Sequence, residues 1–283
     1  MNGIIVVNKP CGITSRDVVN KLCRKFNTKK IGHTGTLDPI ADGILVVSIN
    51  KATKLVDYLT CNDKEYIATV KIGILTDTLD ISGNILEERK CSVSKDKLEK
   101  VLYSFIGNYN QEVPIYSAVK INGKKLYEYA RGNEDVTLPK RNVEIKNIKL
   151  ISCKDDYYSF SVKVSKGTYI RSLIKDINDK LDIIGVMSNL TRTKQGVFDL
   201  KDSYTLEDIE NDDYKLIDIK TCLKDEFCVT IDDNLYKQVK NGSIISNIYS
   251  KDLVVFIYND EVIAIYKTYD KDNTKIKPYK MFI

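Results

Sequence analysis

The chain has 283 residues, of which 43% are hydrophobic and 29% charged, a composition typical of a globular protein with one large core and a small second module. No run of about 18 apolar residues predicts a membrane span, and the first residues lack the features of a signal peptide. The seven cysteines form no CxxC pair and there is one histidine, so we expect reduced thiols in a cytoplasmic protein rather than a zinc site.

The net charge of +5 is unevenly distributed. Residues 1–60 carry nine basic and four acidic side chains, and residues 120–149 carry eight and four, whereas residues 201–235 carry four and eleven. A basic body joined to an acidic segment is typical of a protein that binds a polyanion on one side. A chance bias in a solvated surface gives the same pattern, so charge alone leaves both interpretations open.

The first third of the chain alternates short strands with a helix and a loop. Ile4–Val7 predicts a strand, and Ser15 is expected to cap a helix whose apolar side chains recur at helical spacing. A glycine-punctuated loop at 32–43 leads to an apolar strand at 44–49. Residues 66–73 alternate in polarity as a half-buried strand does.

The remaining residues mix both kinds of element. Ser94 is expected to cap a helix, with Gly107 in the position that follows a helix C terminus. Residues 111–142 predict a long irregular stretch rich in Lys and Tyr. Two strands and a helix are then predicted: 143–151, 157–164 and the segment after Gly167.

An acidic segment at 201–225 precedes a C-terminal part in which short strands and turns predominate. Strands and helices mix without strict βαβ alternation, so the sequence predicts an α+β fold. Neither a P-loop nor a dinucleotide-binding glycine motif is present in the sequence.

The most informative segment is the loop GHTGTLDPIADG at 32–43. Its glycines allow tight turns, and Pro39 biases Asp38 toward an extended backbone. A carboxylate on a rigid loop between two ordered elements is well placed for chemistry. Asp38 is equally suited to cap a helix that begins at Pro39, and the local pattern leaves both interpretations open.

Five segments together resemble the bacterial tRNA pseudouridine-55 synthases, the TruB-type family. They are, in chain order, VVNKPCGITS near the N terminus, GHTGTLDPIADG, KEYIA at 64–68, YSAVK with Gly123 and YEYAR within 116–131, and GTYIRSL at 167–173. The resemblance implies a catalytic domain over 1–225, built on a mixed, mainly antiparallel sheet flanked by helices and carrying an RNA-gripping loop at 111–142. It also implies a small β-rich, PUA-like RNA-binding domain over 226–283.

The resemblance implies roles for individual residues. Asp38 would be the catalytic aspartate and Arg171 would pair with it. Tyr66, the third catalytic residue implied, would stack on the target base, and a role as a base is left open for it. RNA contacts are implied for His33, which would fill the space left by flipped bases, for Leu190 beside the uracil, and for Lys9, Tyr116, Lys120, Lys124, Lys125 and Arg131. The sequence leaves open whether Lys9 is structural or contacts RNA.

Without the resemblance, ordinary interpretations are favoured for the same positions. Tyr66 would be a core tyrosine, Arg171 a surface arginine at a helix start, and His33 a structural histidine. Asp42 and Val113 depart from the family pattern, in which a small hydroxyl residue and a proline are usual.

Pseudouridine formation breaks the bond from N1 of uracil to ribose, turns the base and rejoins it through C5. Nothing is oxidised or added, so neither a cofactor nor a metal is expected. The reaction needs an ionised carboxylate that either attacks the sugar or stabilises a cationic one. It also needs a cation that opposes burial of that charge and an aromatic face that receives the extruded base.

The substrate implied by the resemblance is the T-arm of tRNA, bound by a monomer with no obligate protein partner. Two alternatives remain at this point. One is a protein whose main activity is tRNA folding, and the other is a guide-RNA-dependent pseudouridine synthase.

Overall fold

The computed structural model describes all residues, 1–283. The strands are β1 (Gly3–Lys9), β2 (Ile31–His33), β3 (Asp42–Ile49), β4 (Lys64–Ile72), β5 (Ile74–Thr76), β6 (Ile85–Glu88), β7 (Gly107–Glu112), β8 (Lys120–Ile121), β9 (Lys124–Lys125), β10 (Lys140–Lys154), β11 (Tyr157–Val164), β12 (Gly185–Gln195), β13 (Phe198–Asp199), β14 (Cys228–Thr230), β15 (Ile245–Ser246), β16 (Leu253–Tyr258), β17 (Glu261–Tyr269) and β18 (Asp272–Met281). The α-helices are α1 (Ser15–Lys25), α2 (Val56–Thr60), α3 (Lys95–Tyr103), α4 (Leu126–Arg131), α5 (Ile170–Leu181), α6 (Leu206–Glu210), α7 (Ile219–Cys222) and α8 (Asp233–Lys240). None of them combines the length and hydropathy needed to cross a membrane.

Half of the strands belong to one nine-stranded sheet. Its main path runs in the order β1-β3-β12-β4-β11-β10-β7, with β2 paired to β3 and β13 paired to β12. Only β3 and β12 are parallel neighbours in it, and the other pairs are antiparallel. The predicted α+β fold with a mixed, mainly antiparallel sheet is confirmed.

Strands β1 and β3 are buried on both faces. Along β1, Ile4 joins a core that is shared with the C-terminal strands, whereas Ile5 packs in a second core with Val18 and Leu22 of α1. Burial on both sides explains why these two strands are continuous apolar runs in the sequence. Strand β4 instead alternates, with Tyr66 and every second residue buried, as predicted.

The central strands support the largest core cluster, which contains 23 buried residues including Tyr66 and Leu190. Helices α3 and α5 pack on this face, because side chains of both helices belong to the same cluster. Strand β12 packs against α5 and also pairs with β3 within the sheet.

The C-terminal strands form a separate five-stranded sheet in the order β14-β16-β17-β18-β15. This part is β-rich, as predicted, but it also contains α8, which the sequence did not reveal. Asp232 caps α8 by accepting from the Leu235 N–H at 2.8 Å, and Val239 is buried against the sheet. Eight helical residues span little more than two turns, too few for their periodicity to stand out.

Two predicted helix ends lie elsewhere. Thr14, not Ser15, caps α1, since the Thr14 hydroxyl accepts from the Asp17 N–H at 3.1 Å and the Asp17 carboxylate accepts from the Thr14 N–H at 2.9 Å. Helix α3 ends at its C-cap Ser104, so Gly107 is the first residue of β7, with φ +109°. Neighbouring residues offer similar capping chemistry, and long-range contacts decide between them.

The segment 111–142 is more regular than predicted. Strand β7 runs into it, the hairpin β8–β9 and helix α4 lie within it, and β10 begins before it ends. The predicted strand 143–151 is too short, because pairing with β7 extends β10 back to Lys140. The predicted strand 157–164 is confirmed as β11.

Candidate active site

Asp38 lies in a tight turn between β2 and β3. The Ala41 N–H donates to the Asp38 carbonyl at 3.0 Å, and no helix follows Pro39. The helix-cap interpretation of Asp38 is therefore wrong. The Asp38 side chain is free to take part in contacts outside the loop.

Hydrogen bonds from the start of α1 and from the loop before it stabilise this turn. The Gly12 N–H donates to the Pro39 carbonyl at 2.8 Å. The buried Ser15 hydroxyl donates to the Leu37 carbonyl at 3.1 Å and accepts from the Leu37 N–H at 2.9 Å. Ser15 therefore holds the residue before Asp38 instead of capping the helix.

Asp38 and Arg171 form a two-pronged ion pair across 133 residues of sequence. Arg171 Nε lies 2.9 Å from Asp38 Oδ2, and Nη2 lies 3.2 Å from Oδ1. The remaining guanidinium donors reach the Thr78 and Tyr116 carbonyls, each at 2.9 Å. Arg171 is only 6% exposed, whereas the Asp38 side chain is 34% exposed. The surface-arginine interpretation is therefore wrong, and the pair consists of a buried cation and a partly exposed anion.

A second buried side chain fixes the start of α5, which carries Arg171. Gln111 donates from Nε2 to the Tyr169 carbonyl at 3.0 Å and accepts at Oε1 from the Tyr169 N–H at 2.7 Å. Tyr169 is the N-cap of α5. Neither Gln111 nor Thr78 was predicted from the sequence, because in each contact one partner is a main-chain atom, which every residue has.

Tyr66 and Leu190 belong to the hydrophobic core into which the Asp38 loop packs. Both are buried in the core cluster that also contains Leu37 and Ala41, which lie on either side of Asp38 in sequence. Tyr66 on β4 faces Arg192 on the adjacent β12 in the register. An aromatic ring and a leucine thus belong to the same buried cluster as the residues that flank Asp38.

His33, at the end of β2, is partly buried. Its Nδ1 accepts from the Gly35 N–H at 3.3 Å. Burial, reinforced by the positive charges of Arg192 and Arg16, lowers the pKa of His33. The imidazole is therefore neutral at physiological pH, and a neutral ring suits stacking better than phosphate pairing. Arg16, missed by the sequence analysis, brings a further cation to this side.

Lys9 has no exposed surface. Its ammonium donates to the Pro10 and Ile13 carbonyls, each at 2.8 Å. Burial lowers the pKa of Lys9, against opposing influences from nearby anionic groups that include Asp42 and Asp38. Of the two roles left open for Lys9, these contacts favour the structural one.

Three cations of the 111–142 segment contact side chains of the same segment. Lys124 pairs with Glu134 at 2.5 Å. Lys125 and Arg131 both lie over the ring of Tyr127, at 5.3 Å from its centroid in each case.

Two other residues of this segment differ. Lys120 is exposed and forms no ion pair. Tyr116 connects the segment to the pair described above, since its carbonyl accepts from Arg171. The Tyr116 hydroxyl also donates to Asp77 Oδ2 at 3.4 Å.

Solved structures share this architecture. A chain of a Cbf5–Nop10–Gar1 complex matches with a TM-score of 0.74 and 27% identity, covering 99% of this chain and 85% of that one. A structure of an H/ACA RNP bound to a substrate RNA containing 2′-deoxyuridine matches with a TM-score of 0.73 and 25% identity over the same shares of the two chains.

Sequence relatives are more similar still. The tRNA pseudouridine synthase B of Oceanobacillus iheyensis is 41% identical over 296 residues, covering 100% of this chain and 98% of the relative. The protein of the same name from Staphylococcus aureus strain MSSA476 is 45% identical over 302 residues, covering 99% of each. Residues 23–170 match the family described as TruB family pseudouridylate synthase (N terminal domain).

The family model and the full-length relatives define an enzyme of the pseudouridine synthase class. Within that class, the chain belongs to the TruB family of pseudouridylate synthases. The resemblance found in the sequence is thereby confirmed.

Proposed function

We propose that this enzyme isomerises uridine 55 in the T-loop of tRNA to pseudouridine, with Asp38 as the catalytic carboxylate. The relatives described above are named for tRNA. The observation that supports the proposal most is the ion pair between Asp38 and the nearly inaccessible Arg171. A buried guanidinium orients the carboxylate and stabilises its charge, while the exposed side of the carboxylate remains open to a substrate.

The proposed reaction moves one bond and one proton. The ribose C1′–N1 bond breaks, the released uracil turns, and a C1′–C5 bond forms. N1 gains a proton and C5 loses one, so the product is an isomer. The Asp38 carboxylate either forms an ester with C1′ or stabilises a cationic sugar, and both routes require it ionised.

The target uridine must leave the RNA stack before Asp38 reaches its ribose. In the proposed complex, the Tyr66 ring stacks on the extruded uracil, and Leu190 lies beside the same base. Base–aromatic stacking contributes about 1–3 kcal/mol. His33 fills the gap left in the RNA, a role that suits its neutral ring.

We propose that phosphates of the T-arm lie along the 111–142 segment. Lys120, Lys124, Lys125 and Arg131 supply the positive charge, and Tyr116 links the segment to the catalytic pair. Residues 1–225 would form the catalytic domain, and residues 226–283 a PUA-like domain that helps to hold the tRNA. Lys9 acts by supporting the N-terminal loop.

The enzyme is proposed to work as a cytoplasmic monomer without a protein partner, cofactor or metal. A guide-RNA-dependent activity is the second candidate, because chains of the Cbf5 and H/ACA structures share the fold. The higher identity to relatives named tRNA pseudouridine synthase B favours a stand-alone enzyme.

The test is to incubate the purified protein with an unmodified tRNA transcript, a chelator, and neither nucleotide nor guide RNA. We expect pseudouridine at position 55 alone, and none in a transcript with cytidine at that position. Asp38→Asn should lower the rate by at least about 10³-fold, with tRNA affinity within a few-fold of the parent. Appreciable turnover by Asp38→Asn would remove Asp38 from the mechanism, and modification at another position would reject the proposed site specificity. A requirement for guide RNA would favour the second candidate.

A further inference from the structure

Arg192, on β12, is among the largest fully buried side chains, with 1% of its surface exposed. A buried arginine is ordinarily paired with a carboxylate, but Arg192 forms no salt bridge. Its Nε donates to the Ile44 carbonyl at 2.7 Å and its Nη2 to the Gly35 carbonyl at 3.1 Å. These two carbonyls lie on opposite sides of Asp38 in the chain. Gly35 lies near the start of the loop, and Ile44 follows its last residue.

The main chain of Arg192 approaches the same loop closely. Arg192 pairs with Gly43 where β12 runs parallel to β3, the only parallel pair of strands in the large sheet. Gly43 has φ +93°, and a Cβ at Gly43 would lie 2.4 Å from the Arg192 carbonyl oxygen. A Cβ at Gly35 would lie 3.4 Å from Nη1. The loop therefore approaches the main chain of Arg192 at Gly43 and the guanidinium of Arg192 at Gly35.

Two further buried polar side chains lie beside Thr34 and Gly35. Gln195 Nε2 donates to Thr34 Oγ1 at 2.5 Å. The Lys64 ammonium is also buried and donates to the Thr60 and Asn62 carbonyls at 3.1 and 2.9 Å. A second buried cation beside Arg192 makes the site unfavourable for positive charge, so the contacts of Arg192 with the loop must compensate.

We propose that Arg192 is a positioning residue for Asp38, which joins the two ends of the catalytic loop to β12 and so sets the place of the carboxylate relative to Arg171. The inference rests on the proposed catalytic function of Asp38. Because Arg192 is inaccessible, it acts through the loop and contacts no RNA. Asp38 is then held from two sides, by α5 through Arg171 and by β12 through Arg192.

The test compares Arg192→Lys and Arg192→Met in the full chain, with Arg89→Lys and Arg89→Met as controls. Arg89 lies at the surface, 3.5 Å from Glu87. Single-turnover rates of pseudouridine formation are measured at saturating enzyme, and tRNA dissociation constants are measured separately. We expect the rate to fall about 10²-fold in Arg192→Met and less in Arg192→Lys, which keeps the charge and a contact with one carbonyl. The dissociation constants should stay within about threefold of the parent's, because binding and positioning are separate.

A further measurement separates positioning from general destabilisation. In Arg192→Ala, added guanidinium ion should raise the single-turnover rate several-fold, and sodium chloride at equal ionic strength should not. If Arg192→Met fails to fold, Arg192→Lys decides the question. A folded Arg192→Lys with the parent's rate, or with equal losses in rate and affinity, overturns the inference. A parent protein that forms no pseudouridine rejects the proposed function instead, so the two failures are distinguishable.

Discussion

The loop at 32–43, which carries the proposed catalytic aspartate, and the segment at 111–142, which is proposed to bind RNA, are stabilised in opposite ways. Buried side chains hold the loop through its main chain, as Ser15 does at Leu37 and Arg192 does at Gly35. In the segment at 111–142, cations instead contact other side chains of the same segment near the surface, as Lys124 does with Glu134.

The difference suits the two proposed tasks, which are catalysis by the loop and RNA binding by the segment. Buried hydrogen bonds are costly to leave unmade, about 1–3 kcal/mol each, so they fix a carboxylate in one place. Exposed ion pairs contribute about 0–1 kcal/mol and exchange readily for contacts with phosphate.

The largest effect is expected at Arg171. Arg171→Ala removes both contacts to Asp38 and should lower the single-turnover rate about 10²–10³-fold. Arg171→Lys should recover only part of the rate, since an ammonium cannot reproduce the two-pronged contact. Lys175→Ala is the control in the same helix, because Lys175 pairs only with the exposed Asp179. Near-parent rates in Arg171→Ala would show that the ion pair is not needed for catalysis.

Ser15 and Thr14 provide an adjacent pair with different partners. Ser15→Ala leaves the buried Leu37 N–H without its acceptor and should lower the free energy of unfolding by about 1–3 kcal/mol, with a rate loss of about tenfold. Thr14→Ala loses the cap of α1, about 1 kcal/mol, and should keep the parent's rate. Urea unfolding and single-turnover rates check both. Equal rate losses in the two variants would contradict a specific role for the loop contact.

The pH dependence of stability tests the buried cation beneath the loop. Burial, with a smaller contribution from the charge of Arg192, lowers the pKa of Lys64 from 10.5 to about 8. Between these values the unfolded chain holds a proton that the folded chain has released. Lys64 therefore makes the free energy of unfolding rise with pH across that window, by at most about 3 kcal/mol.

Urea unfolding at pH 7.5 and 10.5 measures this contribution as the difference between the parent and Lys64→Met. Groups common to both proteins cancel in that difference. Lys64→Arg, which cannot release a proton in this range, should lose the same component. Identical pH dependence in all three proteins would mean that the Lys64 ammonium stays charged in the fold.

The smallest effects are expected in the segment at 111–142. Lys120→Gln should lower the slope of log affinity against log salt by about 0.7–0.9, the contribution of one phosphate contact. Lys124→Gln should lower it less, because Glu134 already neutralises Lys124, and Glu134→Gln should raise it. Combined neutralisation of Lys120, Lys124 and Lys125 should flatten the salt dependence clearly. An unchanged slope in that triple variant would show that the tRNA lies elsewhere.

Individual strands and helices show which structural features could be predicted from the sequence. The strand 157–164 and the alternation of β4 were predicted correctly. In both strands every second side chain is buried, and this period of two is visible in the sequence. The cap of α1 was misplaced by one residue, since Ser15 has a partner 22 residues away. Helix α8 was missed because it is short.

The sequence by itself determined the family, through five motifs in order, and with it the α+β class and the identity of the residues expected at the site. Only the tertiary structure decided that the Arg171 guanidinium lies on the Asp38 carboxylate, that Lys9 is inaccessible, and that Arg192 holds both ends of the loop. The physical reason is that these contacts end on main-chain carbonyls or join residues more than a hundred positions apart. A carbonyl is common to every residue, so its use as a partner becomes visible only when the chain is folded.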